Sequence, residues 1–271
     1  MLLYLDIRLD GSPRHLSLRS LLRFIADILP RMTENNRFSY SGTQLLSDIE
    51  LNLKKYSFYV FSKISKPFLL NSFENSSVLD FGAGTGTIAR LWRTHLGVSP
   101  HCVEIDHQLA LSLREAGFET HDKLTDLSKK FQFVYSANVI EHIEDDVVAL
   151  VQLGRILEIN GLMCIYVPAF PILFSELDRQ VGHYRRYTKE TLNLALTTSG
   201  FEVVKSEYCD SLGFIATLIL KSLRFSFGEA SKSSEILMKV YDSSLFPFSI
   251  LLDRIGLSNF FWKKFICNCK T

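Results

Sequence analysis

Three groups of residues in this 271-residue chain have the types and spacing to do chemistry. The first is Asp80-Phe81-Gly82-Ala83-Gly84-Thr85-Gly86, an acid and three glycines two apart, placed directly after the apolar Val78-Leu79. Glycine at alternate positions lets a backbone lie flat against a ligand and adopt dihedrals closed to other residues. Ile88 to Trp92 then begins a helix whose first amides face the loop. The third glycine comes one residue earlier than in the Gly-x-Gly-x-x-Gly loop of dinucleotide-binding folds, which argues against a nicotinamide-dependent reductase. The second group is Cys102-Val103-Glu104-Ile105-Asp106, where a strand ends in two acids. A carboxylate at such a strand end accepts two sugar hydroxyls at once. Glu104 is assigned that role, with Asp106 as its competitor and a helix N-cap as the other use of Asp106. The third group joins Glu141-His142 to the later His183 and suits acid–base work, because a neutral imidazole accepts a proton near pH 7. Around His183, Arg179, Arg185 and Arg186 offer planar forks for a carboxylate or phosphate. Salt bridges to Asp178 or Glu176 are the alternative use of those forks.

These groups need a sheet to hold them at one edge. From Ser77 the pattern alternates short β runs with helices, as in a doubly wound parallel sheet. Strands are predicted at 77–81, 100–105, 118–121, 131–137, 161–167 and 201–208, with helices near 86–96, 107–117, 145–157 and 189–199. Gly161 and Gly200 are read as helix stops. Upstream, Leu18 to Ile25 has helical periodicity ending near Pro30. A second helix, from about Gln44 through Phe61, leads through Pro67 to the first strand. That helix either caps a substrate pocket or packs on the sheet. Downstream, Leu212 to Leu220 and Leu245 to Leu252 are apolar, and Phe260 to Cys269 is read as a last antiparallel strand.

The residues from Asp80 to Gly86 resemble motif I of class I S-adenosylmethionine-dependent methyltransferases. The segment Phe131 to Ile143 is similar to ubiquinone-pathway O-methyltransferases, which end it in Glu-His and carry an acid where Gln132 stands. Pro168-Ala169-Phe170 and Gly182-His183-Tyr184-Arg185-Arg186-Tyr187 look like a bacterial methyltransferase family found with glycan and lipid biosynthesis genes. The resemblance covers about residues 40–210, with weaker similarity at Tyr241-Asp242 and Pro247-Phe248-Ser249. It implies a Rossmann-like, doubly wound, seven-stranded α/β sheet, mostly parallel with an antiparallel last strand, plus a helical N-terminal cap and a C-terminal helical insertion. It also implies S-adenosyl-L-methionine held by Asp80, Gly82, Ala83, Gly84, Gly86 and Glu104. Ile105 is expected on the adenine face, Asp122 at the adenine amino group with Glu119 or Asp126 as alternatives, and Asn138 beside the methionine part. Glu141, His142 and His183 are the expected catalytic residues, and Arg179, Arg185, Arg186 and Tyr187 the substrate contacts. Small-RNA 2′-O-methyltransferases hold a divalent metal with a Glu-x-x-Glu-His segment and a later His. Here Asn138 replaces the first Glu, so a metal stays open but no ligand set is assigned.

Composition bounds the partners. The formal net charge is +1, and no basic stripe with interleaved aromatics points to nucleic acid. Twenty-one Phe and a mean hydropathy of +0.12 suggest an apolar pocket or a membrane-facing surface. The five cysteines are scattered, without zinc or disulfide spacing. No apolar run reaches the roughly 20 residues that span a bilayer. The expectations are three regions, a helical extension and cap (1–70), a cofactor-binding core (71–210) and an apolar helical insertion with the last strand (211–271). The enzyme would work in the cytoplasm, with peripheral contact at the inner membrane face open to its apolar segments. Methyl transfer to an oxygen, or else a nitrogen, of a small, glycan or lipid-linked acceptor is the expected reaction. The alternatives are an RNA-directed methyltransferase and a non-catalytic cofactor-binding protein.

Overall fold

The computed structural model describes residues 4–8, 13–17, 52–73, 77–210, 213, 217, 238–254 and 264–270. Its centre is a seven-stranded sheet built on the run from Val78 onward. The strands and helices that matter for the site are β3 (Val78–Phe81), α2 (Thr87–Leu96), β4 (His101–Val103), α3 (His107–Glu115), β5 (Thr120–His121) and β6 (Phe131–Ala137). They are followed by α4 (Asp146–Ile156), β7 (Leu157–Pro168), the short α5 (Glu176–Gln180), α6 (Lys189–Thr198), β8 (Glu202–Cys209) and β9 (Lys264–Lys270). Spatial order is β5-β4-β3-β6-β7-β9-β8. All neighbours are parallel except β9, which runs antiparallel to both β7 and β8. The order reverses between β3 and β6, and the crevice beyond the carboxyl ends of strands at such a reversal is where open α/β sheets take ligands.

The central strands are apolar on both faces because helices cover both. Phe133, Tyr135, Cys164 and Tyr166 pack with Trp92 of α2 against one helix layer, whereas Val134, Met163 and Ile165 pack with Leu150, Leu153, Leu192 and Leu196 of α4 and α6. The first layer is completed by α1 (Lys54–Leu70), which sends Tyr59, Val60, Phe61, Ile64 and Phe68 into the sheet-facing core. Of the two roles open to this helix, the packing one is therefore observed. Pro67 lies inside α1 instead of ending it. A proline there removes one backbone donor, and the helix runs on to Leu70 because the next turn buries Phe68 beside Trp92 and Phe133 at ring distances of 4.8 and 5.4 Å.

Other sequence expectations shift. In the N-terminal extension, read as helical, β1 (Tyr4–Arg8) and β2 (Pro13–Ser17) form a separate antiparallel pair, so the described strands of the chain exceed seven. The predicted helix before Pro30 lies outside the described residues, as does the predicted helix up to Leu51. Most of the apolar 212–220 segment does too. Gly161 is not a helix stop. Its chain has already entered β7 at Leu157, and a Cβ at Gly161 would stand 2.8 Å from the Glu158 carbonyl oxygen and 2.6 Å from Leu157 Cδ2, so glycine is needed for close backbone approach. Gly200, with φ +90°, does follow the end of α6 in the left-handed conformation. The antiparallel last strand is present at Lys264–Lys270.

The C-terminal segment holds the start of α1. A π-helical turn at Tyr241–Leu245 leads into α7 (Phe246–Arg254). From this turn the buried Asp242 accepts the backbone N–H groups of Lys55 at 3.0 Å and Tyr56 at 2.8 Å. These are two of the donors a helix start leaves unsatisfied. Phe246 packs edge-on against Tyr56 and Tyr59, with centroids 5.3 and 5.2 Å away. Replacing Asp242 with Ala is expected to cost about 2 kcal/mol, as a charged cap lost from a buried helix start. Denaturant unfolding monitored by circular dichroism checks this, and an unchanged midpoint would show that the cap is idle.

Candidate active site

The glycine loop leaves β3 in an unusual backbone conformation that only its sequence permits. Gly82, Gly84 and Gly86 have φ of +77°, +56° and +79°, in the region that favours glycine. The amides of Gly82 and Ala83 both donate to the Val103 carbonyl, at 2.8 and 3.1 Å, which fastens the loop to the end of β4. A Cβ at Gly82 would lie 2.3 Å from Val139 Cγ2, and one at Gly86 2.5 Å from Leu113 Cδ2. The loop is therefore pressed between the exit of β6 and helix α3.

Beneath the loop, Asp80 is buried and accepts the Tyr135 hydroxyl at 2.8 Å. The two residues are partners in the β3–β6 register, and Tyr135 stacks on Trp92 with ring planes 9° apart. Burial pushes the Asp80 carboxyl up to about 7, against the Tyr135 hydrogen bond, which pulls it down. Glu104 sits at the carboxyl end of β4 with only 7 % of its surface exposed. Its two oxygens accept the Gly84 amide at 2.7 Å and the Asp106 amide at 2.9 Å. Each oxygen keeps a second lone pair, so the held carboxylate can still accept a pair of hydroxyls. Asp106 has the other role considered for it. It caps α3 by accepting the amides of Gln108 and Leu109 at 2.9 and 3.0 Å.

Ile105 is 86 % exposed beside the buried Glu104. A large apolar side chain in that position offers a planar ring a surface to cover. Asp122 is exposed and its carboxylate is taken by Arg114 at 2.6 Å, which holds it below the usual carboxylate range. Asn138, at the end of β6, adopts φ +58° and donates its amide to the Tyr166 carbonyl at 2.8 Å. Ser136, one turn of strand earlier, is buried. The crevice between β3 and β6 thus has the glycine loop on one side and Asn138 on the other.

One residue beyond Asn138 comes Val139, the residue that touches Gly82, and then the 3₁₀ turn Ile140–His142. Glu141 in this turn is wholly buried, whereas His142 is exposed. The loop after β7 brings His183 to them. Its backbone amide donates to the Asp178 carbonyl, and the Tyr184 amide donates to the Glu141 carbonyl, both at 2.8 Å. The His183 and His142 rings meet edge to face with centroids 4.5 Å apart. His183 Nε2 stands 3.8 Å from Glu141 Oε1, and its Nδ1 stands 2.8 Å from Asp178 Oδ1. One donor atom from each of Glu141, His142 and His183 lies within 4.8 Å of the others. The structure places the three expected catalytic residues together, and behind them stands Asp178, which the sequence offered only as a partner for the arginines.

Asp178 is the hub of that loop. Arg186 grips it with two parallel bonds, Nε to Oδ1 at 2.8 Å and a terminal nitrogen to Oδ2 at 3.0 Å. The backbone N–H and hydroxyl of Ser175 add bonds to Oδ2 at 2.9 and 3.0 Å. Burial pushes the Asp178 carboxyl up, but hydrogen bonds from His183 and Arg186 outweigh it and hold the group well below the usual carboxylate range. Of the two uses open to the arginines, the salt bridge is the one seen in this structure. Arg186 is buried against Asp178, and Arg179 pairs with Glu176 at 3.1 Å. Arg185 reaches Asp146 at 2.9 Å and donates to the Glu144 carbonyl. Tyr187 is buried and donates its hydroxyl to Asp146 Oδ2 at 2.7 Å. The pairs of Arg186 and Arg185 stiffen the loop because buried or half-buried charges require partners, whereas the Arg179–Glu176 pair lies at the surface. The signal for this was the alternation of acids and arginines between Glu176 and Arg186.

The family profile described as "Methyltransferase domain" matches residues 53–206, and the chain belongs to that family. No curated protein matches the chain in sequence. Among solved structures it is similar to a SAM-dependent methyltransferase from Archaeoglobus fulgidus, at 18 % identity and a TM-score of 0.52 over 79 % of this chain and 94 % of that one. The magnesium protoporphyrin IX methyltransferase from Synechocystis aligns with a TM-score of 0.51 and 10 % identity, covering 92 % of this chain and 94 % of the other. The cyclopropane synthase MmaA2 of Mycobacterium tuberculosis aligns with a TM-score of 0.50 and 13 % identity over 78 % and 83 % of the two chains. At these identities the likeness shows the shared fold. Among the described residues no helix is long and apolar enough to cross a membrane.

Asp80 gives this site a pH signature. Its folded-state carboxyl titrates near 7, and an unfolded one near about 4. Between those values the folded chain keeps a proton that the unfolded chain has lost, so stability falls as pH rises across the window. Asp80→Asn is expected to flatten this slope. Denaturation midpoints compared at the two ends of the window check it, and an equal slope in both proteins would show that Asp80 does not titrate there.

Proposed function

We propose that the chain is a class I S-adenosylmethionine-dependent methyltransferase that methylates an oxygen of a small, glycan or lipid-linked acceptor. The pair His183–Asp178, set beside the glycine loop through Val139, carries this reading. When bound, S-adenosylmethionine supplies an electrophilic methyl group. Glu104 would hold its ribose hydroxyls, Ile105 would lie on its adenine, and Gly82 to Gly86 with Asn138 would line the rest of its site. The three left-handed glycines and the restrained Glu104 carboxylate fit such a nucleoside cofactor.

An oxygen acceptor must lose its proton as its lone pair forms the new bond to carbon, and a neutral amine need not do so beforehand. A positioned base is thus of most use to an oxygen acceptor. Asp178 accepts from Nδ1 and leaves the Nε2 lone pair of His183 to take the hydroxyl proton. Glu141, 3.8 Å from Nε2, then stabilises the imidazolium. His142 packs on the His183 ring and limits its rotation. The Glu141-His142 pair and the Gly182–Tyr187 loop also support kinship with the glycan- and lipid-associated methyltransferases. A cytoplasmic site of action, with peripheral membrane contact through the apolar C-terminal segments, goes with a lipid-linked acceptor.

The convergence of Glu141, His142 and His183 favours a second reading, in which a divalent ion bridges them and activates the acceptor. Turnover that persists in excess chelator excludes it. Glu104→Ala is expected to weaken S-adenosylhomocysteine binding by about tenfold or more, from the loss of two charge-assisted bonds. His183→Ala should keep that binding and lose turnover on the order of a hundredfold. Calorimetry, together with S-adenosylhomocysteine release against a panel of uronic-acid glycans and lipid-linked sugars, measures both. Absence of cofactor binding in the wild type, or full turnover in His183→Ala, would overturn the proposal. Asp178→Asn should shift the neutral His183 ring away from the Nδ1–H tautomer in ¹⁵N spectra and lower kcat more than it raises KM.

A further inference from the structure

A second constellation lies away from the glycine loop, on strands β4 and β5 at the edge of the sheet. Cys102 pairs with Thr120 and Val103 with His121, which sets His101 beside Glu119 and brings both histidines to one face. His101 Nδ1 is 3.0 Å from Glu119 Oε1, and His121 Nε2 is 3.5 Å from the same oxygen. One donor atom from each of the three lies within 4.8 Å of the others. The two imidazole planes are 10° apart, with centroids 6.4 Å from each other. Both nitrogens are buried and face the one Glu119 carboxylate oxygen. Two imidazole nitrogens and a carboxylate oxygen that converge from neighbouring strands have the donor types and spacing that an ion held between them requires.

We propose that His101, Glu119 and His121 form a binding site for a divalent transition metal, zinc by preference, which clamps β4 to the edge strand β5. Two imidazoles and one carboxylate are borderline ligands of the kind zinc takes, and a fourth position is left for water. The site has an entry path, because the Glu119 side chain is 64 % exposed. Between β5 and β6 the chain makes only a three-residue turn, Leu124–Asp126, so no long helix between these strands covers this face. A clamp has a purpose here, since β5 is two residues long and pairs on one side only.

Lys129 opposes the ion. Its ammonium lies 2.5 Å from His101 Nε2, where it donates to the ring and favours the tautomer with hydrogen on Nδ1. Metal binding needs the Nδ1 lone pair, so the proton must sit on Nε2 and Lys129 must swing away. Lys129 is exposed, and to do so its ammonium has to leave the face of the Phe131 ring, 5.4 Å from the centroid, as well as His101.

Chelator-stripped full-length protein titrated with zinc chloride by calorimetry, with thermal unfolding in parallel, tests the site. The expected result is zinc binding that raises the melting temperature and weakens by about tenfold or more in His121→Gln and in Glu119→Gln. It should persist in the His142→Ala/His183→Ala double variant, which removes the histidines of the other cluster. Lys129→Met should tighten it, because a like charge is removed. Circular dichroism confirms that each variant is folded. No zinc binding by the wild type, unchanged affinity in His121→Gln, or loss of binding only in the double variant would overturn the proposal.

Discussion

Everything at the carboxyl edge of this sheet depends on five residues of backbone, three of them glycines in left-handed conformation. Between Phe81 and Thr87 the chain turns left-handed at Gly82, Gly84 and Gly86. That path brings two amides onto the Val103 carbonyl and a third onto the carboxylate of Glu104. It also lets Val139 close to within contact of Gly82, so the exit of β6 and everything after it is positioned against the loop. A side chain at either position would have to displace Val139 or Leu113 and adopt strained dihedrals as well. The loop thus acts as a spacer, because its missing side chains let Val139 and Leu113 close on it.

The histidine side follows the opposite strategy. There the backbone is a long excursion after β7, and charged side chains provide the order. Asp178 accepts from Arg186, Ser175 and His183, and Asp146 accepts from Arg185 and Tyr187. Two carboxylates therefore organise the loop, Asp178 from within it and Asp146 from the start of α4. Such a network is costly to bury unless fully satisfied. Asp178 meets that condition with a bidentate arginine. The consequence is that His183 is held between Asp178 and the His142 ring, while Arg186 is taken up by Asp178.

Much of this was legible in the residues themselves. The alternation from Ser77 marks the parallel core because strands buried on both faces must be apolar throughout, and Phe131 to Ala137 shows it plainly. The glycine loop after β3, Glu104 after β4 and Glu141-His142 after β6 were readable because each follows the end of a strand, whereas the approach of His183 to them comes from a long loop and only the fold shows it. Other features resisted. Pro67 and Gly161 carry strong local signals for ending a helix, yet packing of Phe68 and the approach of Gln132 and Glu158 backbone overrule them. Asp242 capping a helix 187 positions away leaves no local trace at all.

The sequence by itself determined the sheet, the loop and the class of ligand site, because periodicity and glycine placement act through nearest neighbours along the chain. Only the tertiary structure decided which acid does which work. Glu104 and Asp106 are both acids two residues apart, and burial gave one to the loop and the other to a helix start. Arg186 could have faced a substrate until the fold set Asp178 against it. Charged side chains choose partners by distance and dielectric, and both quantities exist only once the chain has folded.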